Sequence, residues 1–434
     1  MDSFESWGRY PRTEQRVDQL FWSSDFPVND TSSFSQLPVG AGRSYGDVCL
    51  NDRNVLLLAR GLDRLLAFDS QAGILRCEAG VTLAEILDFA VPLGWFLPVT
   101  PGTKFVTLGG AIANDVHGKN HHVAGTFGRY VLRFGLSRSD GTQMECSSAQ
   151  NPEWYSATIG GLGLTGLISW AEIQLKPIVS RKIEYQAVQF NGLEEFMALS
   201  EANSHCEYTV SWLDSAARGR NAMRGIFMCG DHDGSFEPRN CSSGAKFTVP
   251  IDLPAFALNR TTVRAFNALY FHKQFRKRVA TIVDYEPFFY PLDAVLHWNR
   301  MYGKDGLLQF QCVVPPSDGL HAISEMLTAT AESGLASFLT ILKIFGNVRS
   351  PGMMSFPMPG ITLTLDFPIR SNRSFSLVDR LGEVTLAAKG RIYPAKDARM
   401  TSSQFQSFYP QYQDFSRYID PKFSSSFWRR VNGE

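Results

Sequence analysis

The chain has 434 residues, more than one ordinary domain holds, so two domains with separate cores are expected. Its 42 basic residues balance 42 acidic ones, which argues against nucleic acid or any strongly anionic partner read by bulk charge; a charged substrate has to be met by local groups. The seven cysteines, Cys49, Cys77, Cys146, Cys206, Cys229, Cys241 and Cys312, are odd in number and show no Cys-x-x-Cys spacing, which predicts reduced, mostly buried thiols.

The N-terminal MDSFESWGRYPRTEQ has early acidic residues and no apolar stretch, so no secretory leader and a cytoplasmic location are expected. Residues 54–59 and 73–77 read as strands. Thr82 and Glu85 form a capping box, and Leu83, Ile86, Leu87 and Ala90 follow at helical spacing until Pro92 and Gly94 end the pattern. The most apolar window, 81–99, is broken by Glu85, Asp88, Pro92 and Pro98 and falls short of the roughly 20 apolar residues of a membrane span. Strand-like alternation returns at 131–136 and 167–175 around the turn at Ser139, Asp140 and Gly141.

After Lys176 and Pro177 the character shifts to a strand at 183–190, a helix at 193–203 and a strand at 206–213, so a second domain begins near residue 178. The pattern as a whole is α+β. Residues 231–249 are rich in Gly, Ser, Asp and Asn and predict a mobile excursion. The stretch 260–278 combines Arg264, Lys273, Arg276, Lys277 and Arg278 with Phe266, Tyr270, Phe271 and Phe275. It is either a solvated loop or helix against the core, or a surface that meets lipid headgroups or a polyprenyl phosphate.

Three segments stand out chemically. PVGAGRSYGD at 38–47 lets backbone amides approach an anion closely, as a diphosphate requires, yet it is neither Gly-x-Gly-x-x-Gly nor a Walker loop. PVTPGTKFVTLGGAIANDVHGKNHH at 98–122 crowds hydroxyls and glycines with His117, Lys119, His121 and His122; no nearby carboxylate or thiol set gives a familiar ligand spacing, so it does not read as a metal site. WYSATIGGLGLTG at 154–166 is a second glycine cluster leading into a strand. Two clusters this far apart fit an extended ligand such as a dinucleotide, and with no strand-turn-helix fingerprint NAD(P) is not expected as the primary cofactor.

GRSYGD at 42–47, GGAIANDVHGKNHH at 109–122 and GGLGLTG at 160–166 resemble the FAD-binding segments of the decaprenylphosphoryl-ribose oxidases, flavoproteins of the vanillyl-alcohol-oxidase superfamily. DAVLHWNRMYG at 293–303, QFQ at 309–311, KIFG at 343–346, SFPMPG at 355–360 and YPAKDAR at 393–399 are similar to the same family in the same order, so the likeness covers nearly the whole chain and is weakest from 215 to 285.

The resemblance implies a two-domain PCMH-type FAD-binding fold with an inserted antiparallel-sheet substrate domain: residues 1–177 form the flavin domain, 178–390 the substrate domain, and 391–434 return to the flavin domain. It implies FAD held without a covalent bond, since 38–47 lack the histidine that carries the flavin in some related proteins. The cofactor set it implies is Gly40, Ala41, Gly42, Arg43, Ser44 and Tyr45 in the first segment, and Gly102, Thr103, Gly109, Gly110, Asn114, His117, Gly118, Asn120, His121, Gly125 and Thr126 in the second. Gly160, Gly161, Gly163, Leu164, Gly166 and Ile168 in the third, with Tyr393 and Lys396 near the C-terminus, complete it.

The implied reaction oxidises the 2′-hydroxyl of a polyprenylphosphoryl ribose to a ketosugar, which a separate NAD(P)H-dependent ketoreductase partner reduces to the arabinose isomer. Lys396 takes first place as the base, against a plain counter-charge for flavin or phosphate; His117 either assists catalysis or orients flavin and loop. Tyr45, Lys119, Trp212, Gln309, Gln311, Lys343, Thr362 and Thr364 are the implied substrate contacts, with Gln309 and Gln311 on one side of a strand. Thr362 and Thr364 depart from the family's Asn and Cys, which leaves the sugar open. The rival readings are an aldonolactone oxidase and a catalytically idle flavoprotein partner in a glycan-synthesis complex. The lipid-linked substrate also implies peripheral contact with the inner face of a membrane.

Overall fold

The computed structural model describes residues 4–219, 222–235, 247–254 and 257–433. The N-terminal part holds two sheets. Arg16–Gln19, Val55–Leu58 and Gln36–Val39 make a parallel three-stranded sheet with Val55–Leu58 central. Leu65–Asp69, Ile74–Glu78, Leu167–Gln174, Val131–Ser137 and Gln143–Ser147 make an antiparallel five-stranded sheet in that order.

The helix Leu83–Ala90 carries its capping box on Thr82 and Glu85, and its Leu83, Ile86, Leu87 and Ala90 are buried. That apolar stripe meets Leu75, Cys77, Ala171 and Ile173 of the five-stranded sheet in one core. The strands and helices read from the sequence up to residue 213 are present, with ends that move by one or two residues.

From residue 182 onward an eight-stranded antiparallel sheet dominates. Its order is Arg278–Asp284, Lys182–Asn191, Arg224–His232, Tyr208–Leu213, Thr340–Phe345, Gly360–Pro368, Leu307–Val314 and Arg391–Ile392. One face packs on the helices Leu193–Ala202, Gly319–Ser333 and Ser371–Ala387, through Phe190, Phe310, Leu363 and Leu365 against Phe196, Ile323, Met326 and Leu381. The other face is also largely buried, so Leu307–Val314 has eight buried residues in a row instead of an alternating pattern.

The sheet ends at residue 392, and the chain then crosses back to the N-terminal part. Ser426 N donates to Leu50 O at 2.8 Å, and Gln36 pairs with Phe423. In the expected excursion at 231–249, residues 231–232 finish a strand and Phe247–Thr248 pairs in parallel with Val295–Leu296, while 236–246 lie outside the described residues. The basic stretch divides into the helix Arg260–His272 and the strand Arg278–Asp284. Six cysteines are free and buried; Cys241 lies outside the described residues.

Candidate active site

A cavity of about 1180 Å³ separates the glycine-rich N-terminal segments from the free face of the eight-stranded sheet. That exceeds the roughly 300–1,000 Å³ of ordinary small-molecule sites and leaves room for a dinucleotide and a second ligand. All three glycine segments reach it, through Gly40 to Tyr45, through Gly102, Thr103, Gly109, Gly110, Asn114, His117 and Gly118, and through Gly163, Gly166 and Ile168.

These walls fit FAD. The backbone N–H groups of Ala41, Gly42, Arg43 and Ser44 donate to nothing among the described residues, and three free N–H groups or more in one turn form a cradle for a diphosphate. Gly42 and Gly163 have φ of 61° and 77°, so a side chain at either would be strained as well as in the way. A Cβ on Gly40 would stand 2.1 Å from Thr107 Oγ1. Arg43 Nε, Asn114 Oδ1 and His117 Nδ1 are buried without a hydrogen-bond partner among the described residues, the arrangement expected of groups that meet a ligand.

Tyr393 and Lys396 enter from the short turn after the last sheet strand. The Lys396 ammonium lies 3.9 Å from the centroid of the Tyr45 ring, a cation–π contact that fixes its position. Burial pushes its pKa below that of an aqueous lysine, the nearby Asp366 pulls it back up, and Lys343 pushes it down. Lys343 is held down to about 8 by burial, and Lys119 to about 7 by burial and then by Lys343. Lys119 Nζ donates to Phe288 O and sits 4.6 Å over the Phe288 ring.

Gln309 and Gln311 both face the cavity, because residues two apart share a face of a strand. Gln311 Nε2 lies 2.9 Å from His117 Nε2 and 3.3 Å from Thr362 Oγ1. With that amide donating, the imidazole keeps its proton on Nδ1. Burial, and then Lys343, His121 and Lys396, hold His117 well below the usual histidine range, so it is a neutral donor at neutral pH.

Asp366 is the site residue that sequence reasoning missed. It is 0 % exposed, it pairs across the sheet with Gln309, whose amide donates to Oδ1, and its Oδ2 has no hydrogen-bond partner among the described residues. Burial pushes its pKa up, and Lys396 opposes that. The available signal was a carboxylate at the end of GITLTLD, on the face shared by Thr362 and Thr364.

Other residues of the implied set stand behind the wall. Thr362 is fully buried and reaches the cavity only through Gln311, so one of the two family departures, Thr364, faces the ligand. Asn120 donates to Pro98 O, His121 packs on Phe345 at 4.3 Å, and Thr126 is fully buried. Gly125, Gly160 and Gly161 serve close packing, since a Cβ on each would meet Arg129, Ser355 and Ala157 O. Leu164 is buried in the core below the third segment. Trp212 lines the cavity, with its indole N–H donating to Phe338 O at 2.9 Å.

A family model described as FAD binding domain matches residues 30–147, the stretch that supplies the first glycine segment and the second. Fold and site therefore define an FAD-dependent oxidoreductase with a PCMH-type flavin domain. The decaprenylphosphoryl-beta-D-ribose oxidase of Mycolicibacterium smegmatis is 34% identical over 410 residues, 90% of this chain and 88% of that one. The chain belongs to the decaprenylphosphoryl-beta-D-ribose oxidase family. An uncharacterized protein in the mprA 5′ region of Streptomyces coelicolor is 31% identical over 374 residues, 81% of this chain and all of that one. The L-gulonolactone oxidase of Scyliorhinus torazame is 30% identical over 141 residues, 32% of this chain and 31% of that one.

Proposed function

We propose that the enzyme oxidises the 2′-hydroxyl of a polyprenylphosphoryl ribose, or of a closely similar glycosyl phosphate, to a ketosugar. The observation that carries this reading is Lys396, a lysine of lowered pKa set against Tyr45 where the glycine-rich wall meets the polar strands of the sheet. FAD bound along the glycine-rich wall supplies a two-electron acceptor for the hydride from the sugar C2. The neutral Lys396 amine takes the proton of the hydroxyl. Gln309, Gln311 and Thr364 offer amide and hydroxyl partners to the other sugar oxygens, and the His117 Nδ1–H is a donor free for flavin or substrate. Asp366 balances the charge that Lys396 acquires.

The same reading makes the step the first half of an epimerisation, with a separate NAD(P)H-dependent ketoreductase as partner. It also makes the helix Arg260–His272 and the residues after it the face that meets lipid. The likeness to a lactone oxidase extends over a third of the chain, whereas the ribose oxidase likeness extends over 90% of it, so the lipid-linked sugar is the better supported substrate class. Holoenzyme incubated with polyprenylphosphoryl ribose and an artificial electron acceptor is expected to give a product lighter by two hydrogens. Recovery of unchanged substrate from flavin-loaded protein would exclude the sugar.

A further inference from the structure

The floor of the cavity changes character across the sheet. On the strands Leu307–Val314 and Gly360–Pro368 it presents Gln309, Gln311 and Thr364; beyond the strand Thr340–Phe345 it becomes apolar. Ile341 and Lys343 both sit on that dividing strand, two residues apart and so on one face. From there the floor continues through Trp212 and Met228, under a roof of Val263, Phe266 and Tyr270 from the helix Arg260–His272. The apolar part spans four strand-to-strand steps to Arg278–Asp284, about 19 Å at roughly 4.8 Å per step. The roof helix ends at an edge where Phe266 is 48% exposed, Leu269 73% and Phe275 97%.

We infer that this apolar lobe binds the hydrocarbon of the substrate, with the phosphate at the junction marked by Lys343 and Lys119 and the chain leaving past the exposed edge of the roof helix. The inference rests on the lipid-linked reading above and adds to it where the lipid lies. An anionic group joining a polar head to a long hydrocarbon matches the order of the wall: amides and a hydroxyl, then two ammonium groups, then an aromatic and aliphatic channel. A compact soluble sugar would leave the channel wet and its apolar side chains uncovered, which is unfavourable in proportion to their area.

The test titrates the flavin-loaded protein with farnesyl phosphate, which lacks the sugar, and with methyl phosphate, by calorimetry below the micellar concentration. A buried methylene is worth roughly fourfold in affinity, so farnesyl phosphate is expected to bind at least about 100-fold more tightly. Met228→Trp fills the lobe from the floor, and Phe266→Glu places a charge in the roof at a half-exposed position that tolerates change. Each variant, checked for retained flavin, is expected to lose most of that preference while methyl phosphate binding stays the same. Equal binding of the two phosphates, or an undiminished preference in both variants, overturns the subsite. A protein that binds farnesyl phosphate in this way yet leaves polyprenylphosphoryl ribose unoxidised keeps the subsite and loses the sugar reading.

Discussion

Lys396, Asp366 and Lys343 make the pH behaviour of the site a matter of three charges. With the neutral amine as the proposed base, kcat/KM is expected to rise with pH through the Lys396 pKa, which burial places below the roughly 10.4 of free lysine. Asp366→Asn removes the charge that holds the proton on Lys396, so the acid limb is expected to move to lower pH; Lys343→Gln removes the charge that drives it off, so the limb is expected to move higher. pH profiles of the two variants that shift in the same direction would contradict this coupling. Lys396→Ala is expected to lower kcat by about 10² to 10⁴, the usual worth of a general base, with flavin retained. The motifs made Lys396, His117, Gln309 and Gln311 legible in the sequence, while Asp366 acquires its role from a register that brings it opposite Gln309, 57 residues away. The motifs also do not distinguish glycines that face a ligand, such as Gly163, from those that only permit close packing, such as Gly161 against Ala157 O.

Among the elements, the last helix, Ser426–Asn432, does the most for the site without touching it. Its Arg430 bonds Asp47 Oδ1 at 2.7 Å and Asp397 Oδ2 at 2.8 Å, tying the end of the first glycine segment to the residue next to Lys396. Gly46 is pressed so closely on the same turn that a Cβ there would fall 1.7 Å from Asp397 O. Arg430→Ala leaves two buried carboxylates without their cation, for an expected loss of about 3 kcal/mol, read as a lower urea midpoint; an unchanged midpoint would show that the pair is dispensable. The helix at Leu83–Ala90 was legible because its cap and its stripe are local. The Arg430 clamp was not, because its partners lie 383 and 33 residues away. For the same reason Leu307–Val314 reads as an ordinary strand, although a helix layer on one face and the cavity on the other bury it completely.

At the scale of the molecule, zero net charge conceals a local asymmetry: exposed Leu269 and Phe275 stand among Lys273, Arg276 and Lys277 beside the mouth of the cavity. No helix among the described residues is long and apolar enough to cross a membrane. The proposed lipid contact through this edge, which sets basic side chains against anionic headgroups, is expected to be salt-sensitive. In flotation with anionic liposomes the protein should rise at low ionic strength and stay behind after Lys273, Arg276 and Lys277 are replaced by Ala; identical behaviour of the two proteins would remove this face from consideration. The change of pattern near 178 was legible in the sequence and falls just before Lys182–Asn191, the first strand in the chain of the eight-stranded sheet. The central claim is that one cavity joins flavin to a lipid-linked sugar through Lys396, and the visible spectrum of the anaerobic holoenzyme on addition of polyprenylphosphoryl ribose tests it most directly. The account predicts that the flavin absorption bleaches in the native enzyme, not in Lys396→Ala, and that acid precipitation releases the flavin into the supernatant; a flavin that stays oxidised in the native enzyme, or bleaches equally in the variant, would contradict it.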